Sequence, residues 1–224
     1  MHVSETSITQ GKVSEPAPAG AAERPRGRKA EQSDATRRAL IAAARKLFAE
    51  RGYAAVGTEE IVRAAGLTLG ALYHHFGGKR DLFEAVHIEL EAELTQRIAA
   101  GALAGAPESP IEAMRAGAEM LLDACTEPEV QRIVLLDAPA VLGWDRWREI
   151  ATEYGLGLIE ASLKAAMDAG AISRAPLRPL AHLLMGALDE GAMLVARAED
   201  PERTKAEVME ILDALIEGLM PRSR

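Results

Sequence analysis

Apolar side chains recur every three to four residues along most of the stretch from Leu40 to Leu219, and nowhere do they alternate with polar ones over a strand's length. A chain written in that period buries its apolar stripes only by packing helix on helix, so an all-α fold is expected. With aromatics at 4%, Leu, Ala, Ile and Val must fill the interior. The 224 residues allow one to two domains. A single cysteine, Cys125, excludes an internal disulfide framework and a multi-cysteine zinc site, and fits a reducing compartment, so a cytoplasmic location is expected. No uncharged apolar run approaches the roughly 18 residues that span a bilayer. Asp137 interrupts Ile133 to Trp144, the run Leu180 to Leu188 is short, and Met1 to Gly20 has no apolar signal core. Membrane and secreted placements are therefore not expected.

Three segments follow from composition. Residues 1–32 are rich in Ser, Thr, Pro, Ala, Gly and Glu without apolar period, which predicts a disordered arm. Its end, RPRGRK (Arg24 to Lys29), has the chemistry of an arm that reaches DNA phosphates or a minor groove; a solubilising tail is the other reading. Residues 33–80 and 81–224 then carry the helical pattern. In the first, Asp34 to Glu50 forms an amphipathic helix on Leu40, Ile41, Ala44, Leu47 and Phe48. Thr58, ahead of Glu59 and Glu60, is placed as the cap of a short second helix reaching Ala65. Gly66 supplies a tight turn, Thr68 caps again, and Leu69 to Phe76 makes a third short helix closed by Gly77 and Gly78.

Two short helices across a glycine turn, with Ile61, Ala65, Leu67 and Leu72 where they meet, form a helix-turn-helix whose outer face is free for a major groove. Charge supports this. Arg24 to Arg80 holds 12 basic and 5 acidic residues, whereas Asp81 to Arg224 holds 13 basic and 26 acidic, within a net charge of -8. The basic part can bind phosphates while the acidic part keeps the chain off other polyanions.

The remaining helices are predicted from Lys79 to about Ala100, Pro110 to about Cys125 behind Ser109, and Glu127-Pro128 to about Leu136. A break at Pro139 precedes a helix from Trp144 to about Asp168. Two apolar-striped helices end the chain, one carrying Leu180 to Val195 and one opened by Asp200-Pro201. On the helix from Lys79 to about Ala100, Glu84, Glu89, Glu91 and Glu93 are placed off the apolar stripe.

The run TEEIVRAAGLTLGALYHHFGGKRDL (Thr58 to Leu82) resembles the DNA-binding domain of the TetR family of bacterial transcriptional regulators, over roughly Asp34 to Val86. Its most specific part is Leu72-Tyr-His-His-Phe76 followed by Lys79. The resemblance implies a homodimeric, all-helical repressor that binds a pseudo-palindromic operator in double-stranded DNA and leaves it when its C-terminal domain takes a small effector. It also implies that the last two helices pack against their symmetry mates, with the small residues Ala187 and Gly191 at the approach. Thr58 resembles the family position that meets a phosphate.

The chemistry of individual residues agrees. Tyr73, His75 and Lys79 suit phosphate oxygens, whereas Thr68, Leu69, Gly70 and Ala71 are short enough to approach base edges and thymine methyls. No Arg, Asn or Gln lies between Thr68 and Phe76, so specificity leans on Tyr73, His74, Arg63, the arm and DNA shape. Tyr73 as a packing residue is the plain alternative. His74 and His75 point about 100° apart on a helix, and no metal or other cofactor is expected.

For an effector, Trp144, Trp147 and Tyr154 bring large aromatics together. Met114, Leu121 and Met185 add apolar surface, and Asp189, Arg148 or His182 is available to orient a polar group. Ordinary core packing is the competing reading of each apolar one. No nucleophile–base–orienter set is present, so an enzyme is not expected, and a helical binding module without DNA binding is the remaining alternative.

Overall fold

The computed structural model describes residues 27–221, and over them the chain is helical with no strand. The order is α1 (Arg28–Arg51), α2 (Thr58–Ala64), α3 (Leu69–His75), α4 (Lys79–Ala104) and α5 (Pro110–Ala124), then a π-helical segment (Val130–Asp137) running into α6 (Ala138–Leu142), followed by α7 (Trp144–Asp168), α8 (Leu177–Arg197) and α9 (Pro201–Glu217). The all-α expectation holds. Most of the expected arm, with Arg24 and Arg26, lies outside the described residues. Where the two overlap, residues 28–32 are the start of α1, six residues ahead of Asp34, with Glu31 in the dipole-favoured first turn.

Local chemistry explains most of the ends. The Ser109 hydroxyl accepts from the Glu112 N–H at 3.2 Å ahead of Pro110, and the Asp200 carboxylate accepts from the Arg203 N–H at 3.1 Å ahead of Pro201. Thr68 caps α3 by accepting from the Ala71 N–H at 3.2 Å. Thr58 differs from its expected role: Gly57 occupies the cap position, and the Thr58 hydroxyl caps nothing. The break expected at Pro139 also falls later. The wider register of the π-helical segment carries the chain through Pro139, and the turn comes at Gly143, whose φ of 85° suits glycine.

The main core joins α1 to α4 with the π-helical segment. At its centre Phe48, Tyr53 and Phe83 stack edge to face or tilted, with centroids 5.1 to 5.7 Å apart. A smaller core sits among α5, α7, α8 and α9 around Leu163, Met185 and Ile216. Three polar ties fix the helix-turn-helix to the rest of the chain. Arg45 forks onto Glu129 at 2.8 Å, the Tyr53 N–H donates to Asp137 at 2.7 Å, and Arg80 donates to the carbonyls of Val141 and Leu142 at 3.3 and 3.0 Å.

Two expectations for α8 change. Its 21 residues include an 18-residue window of mean hydropathy 1.2, long and apolar enough to cross a bilayer by composition, although the run Leu180 to Leu188 is short. It packs on α7 and α9 with Met185, Ala192 and Val195 buried, the setting of a core helix. Gly191 serves a contact within the chain. A Cβ there would stand 2.8 Å from Val208, so its missing side chain lets α8 and α9 of the same chain close together.

Candidate nucleic-acid interface and interior cavity

α2 and α3 meet across Gly66, whose φ of 66° lets the Leu67 N–H reach back to the Val62 carbonyl at 2.8 Å. Ile61 and Leu72 are fully buried at the crossing, with Ala65 and Leu67 packed beside them. That leaves a continuous outer surface. Arg63, Thr68, Leu69, Gly70, Tyr73 and His74 are exposed, and Thr58, Ala71 and His75 are half-buried. Tyr73 is 55% exposed, which removes it from the core and frees its phenol for a partner. His74 and His75 face each other edge to face at 5.1 Å, and no cluster of metal-ligating side chains occurs among the described residues.

Lys79 departs from the free cation expected of it. Its ammonium donates to the carbonyls of Tyr53 and Val56, each at 2.9 Å, and lies 4.0 Å from the Tyr53 ring centroid. It closes the loop between α1 and α2 onto the start of α4. Other basic residues of this segment are also engaged within the chain: Arg45 and Arg80 as above, Arg51 with Glu60 and the Ala55 carbonyl, and Arg37 over the Phe76 ring. Arg63 and Lys46 make no described hydrogen bond or ion pair, so the local charge available to a phosphate is smaller than the residue count suggests.

Behind this surface a cavity of about 150 Å³ opens among α4, α5, the π-helical segment, α7, α8 and α9. Of the residues expected to line it, Met114, Leu121, Trp147, Met185 and Asp189 do so. Trp144 and Tyr154 do not. The α7 face turned to the cavity is Trp147, Ala151, Gly155, Leu158 and Ser162; Tyr154 lies at its edge, about 60° from the centre of that face, and packs half-buried against the main core instead. Trp144, 58% exposed at the first turn of α7, covers Trp147 from outside at 4.9 Å. Arg148 and His182 are absent from the wall, and Arg148 instead forms an ion pair with Asp189 that ties α7 to α8.

The residue most plainly missed is Glu91. It is only 9% exposed and faces the cavity beside Leu94, Thr95 and Ile98. The signal was present: positions 87, 91, 94, 95 and 98 follow the spacing of a single helical face, so Glu91 belongs to the apolar stripe and not beside it. Burial pushes its carboxyl up to about 7. One turn earlier His87 is fully buried with neither ring nitrogen hydrogen-bonded, and burial, reinforced by nearby Arg146, lowers it to about 4. Its Nε2 stands 3.8 Å from Glu91, but a neutral imidazole makes this contact no ion pair. Cys125, also at the wall, is driven up to about 12, chiefly by burial, which leaves a thiol with little thiolate character.

Comparison with known proteins follows this division. Residues 40–86 match the family described as bacterial regulatory proteins, tetR family, and residues 111–219 match the tetracyclin repressor-like C-terminal domain. The crystal structure of a TetR-family transcriptional regulator from Pectobacterium atrosepticum superposes with a TM-score of 0.76 at 35% identity, over 90% of this chain and all of that one. The HTH-type transcriptional repressor Rv1474c of Mycobacterium tuberculosis is 30% identical over 84% of this chain and 95% of its own. The transposon Tn10 TetC protein of Escherichia coli is 29% identical over 70% of this chain and 78% of its own. An exposed recognition surface on a helix-turn-helix, a cavity in the helical domain behind it, and full-length likeness to such regulators lead to one conclusion: this chain belongs to the TetR family of bacterial transcriptional regulators.

Proposed function

We propose that the protein is a dimeric repressor that holds a pseudo-palindromic operator and releases it when a small, largely apolar effector enters the cavity. The observation that carries this is the placement of two elements. α4 starts at Lys79, under the helix-turn-helix, and lines the cavity from Glu91 onward. The π-helical segment lines the cavity with Val130, Val134 and Leu135 while Asp137 holds the Tyr53 N–H and Glu129, just ahead of it, holds Arg45. A ligand that repacks either element acts on the recognition surface, provided it binds the DNA-incompetent arrangement more tightly.

In this reading α3 enters the major groove with Thr68, Leu69, Gly70 and Ala71 against base edges and His74 alongside. Tyr73, His75, Arg63 and the uncapped Thr58 hydroxyl meet the backbone. Lys79 positions the unit. The dimer forms through α8 and α9, which leave Leu183, Leu194, Ile211 and Leu215 between 51% and 73% exposed, a concentration of large apolar side chains suited to a second copy.

The double variant Leu194→Glu/Leu215→Glu tests the arrangement. Light scattering is expected to fall from twice the chain mass to the chain mass, and capture of duplexes from a random DNA pool to fall at least about tenfold as the second half-site is lost. A variant that stays dimeric, or a monomer that captures DNA as well as wild type, would overturn it.

A further inference from the structure

One charged side chain at the cavity wall has no hydrogen-bond partner among the described residues. The Glu91 side chain, 12% exposed and facing the void, makes no hydrogen bond among the described residues. The Thr95 hydroxyl, one turn along α4, likewise makes no hydrogen bond among the described residues, whereas the other polar groups of the wall are satisfied. The Ser162 hydroxyl donates to the Leu158 carbonyl at 2.9 Å, the Cys125 thiol donates to the Leu121 carbonyl at 3.0 Å, and Asp189 is paired with Arg148. His87 approaches no nearer than 3.8 Å. Among the described residues no Lys, Arg or His lines the cavity, and its charged residues are the two carboxylates Glu91 and Asp189.

A buried carboxyl with no donor is destabilising, and a ligand that brings a donor, above all a positive one, recovers that cost. We propose that the cavity takes a small organic cation: a one-ring amine whose ammonium is set against Glu91 and whose apolar body lies against Met114, Leu121 and Trp147. This rests on the effector cavity proposed above and names its ligand chemistry. The size agrees, since a cavity of about 150 Å³ is the volume in which an apolar protein interior holds one benzene ring. An anionic ligand of the same shape would face two carboxylates with no cation at the wall to meet it.

Four probes of one shape separate the possibilities by calorimetry on the full chain: benzylamine, benzyl alcohol, toluene and benzoate. Wild type is expected to bind benzylamine about tenfold or more tighter than benzyl alcohol, with benzoate weakest, as follows from a charge-assisted hydrogen bond in a desolvated site. Glu91→Gln should abolish that preference and leave toluene binding within about twofold, which also reports that the variant is folded. Benzylamine bound no tighter than benzyl alcohol, or a preference that survives in a toluene-binding Glu91→Gln, overturns the cation assignment and leaves the cavity standing. The wild-type ranking decides independently of how the variant folds. Failure of all four probes to bind overturns the assignment together with the effector cavity.

Discussion

The two halves of this protein handle their interiors in opposite ways. Around the helix-turn-helix, Phe48, Tyr53 and Phe83 fill the space between α1 and α4, Lys79 closes over the Tyr53 ring, and the side chains proposed to meet DNA are exposed or half-buried at the surface. In the second half the proposed site is the interior itself. Its helices leave a void, set a carboxyl into it and bury an imidazole one turn away. A surface that reads DNA needs a rigid base to hold side chains in register, whereas a chamber that senses a ligand needs space and unmet hydrogen bonds.

Substitutions can break or sharpen this contrast. The largest effect is expected from Phe83→Ala, which should lower the unfolding free energy by about 3–5 kcal/mol in urea titrations, while Met114→Ala at the cavity wall costs roughly 2 because a void is already there. Equal losses would mean that the two interiors are packed alike.

Next in size is a dependence on pH. His87 takes up its proton in the unfolded chain near 6.5 and in the folded chain near 4, so stability falls as pH drops through that window. Glu91 works in the opposite direction. It is protonated near 7 when folded and near 4.5 when unfolded, so it adds stability as pH drops from 7 to 4.5. The two slopes largely cancel in wild type. Glu91→Gln removes one of them, and wild type should gain roughly 3 kcal/mol on the variant between pH 7 and 4.5, read from paired urea titrations. Parallel pH profiles would show that Glu91 is not held in a low-dielectric site.

A third pair tests packing in the other sense. Ala44→Leu in the fully packed first core should destabilise by about 1–3 kcal/mol, whereas Ala118→Leu, which points into the cavity, should cost less than about 1 and weaken toluene binding. The smallest effects belong to the DNA surface. Tyr73→Phe should leave stability unchanged and weaken DNA capture about threefold to tenfold at fixed salt, while Lys79→Ala should lower stability by about 1–2 kcal/mol and DNA capture with it. Tyr73→Phe with undiminished capture would remove its phosphate contact.

The same contrast explains what the sequence made legible. The helix-turn-helix could be read almost residue by residue because its determinants are local: a glycine turn, a threonine cap, apolar residues at fixed spacing, and exposure that follows from helical phase. The chamber depends on contacts between residues far apart in the chain. Trp144 and Tyr154 were expected inside because they are large and apolar, yet Trp144 sits exposed in the first turn of α7 and Tyr154, at the edge of the cavity face, packs against the main core. Glu91 was set outside because it is charged, although its spacing placed it on the buried stripe. Lys79 shows the limit even within the motif, since residue type alone does not reveal that two backbone carbonyls already hold its ammonium.

In the proposed dimer this rigid base presents a sequence-specific DNA reader in duplicate. Selection from a random duplex pool at fixed moderate salt, followed by sequencing of the bound fraction, tests it most directly. An enriched inverted repeat is expected, with half-sites about one helical turn, roughly 34 Å, or somewhat more apart. A verified dimer that enriches no sequence, or a single half-site without symmetry, would contradict it.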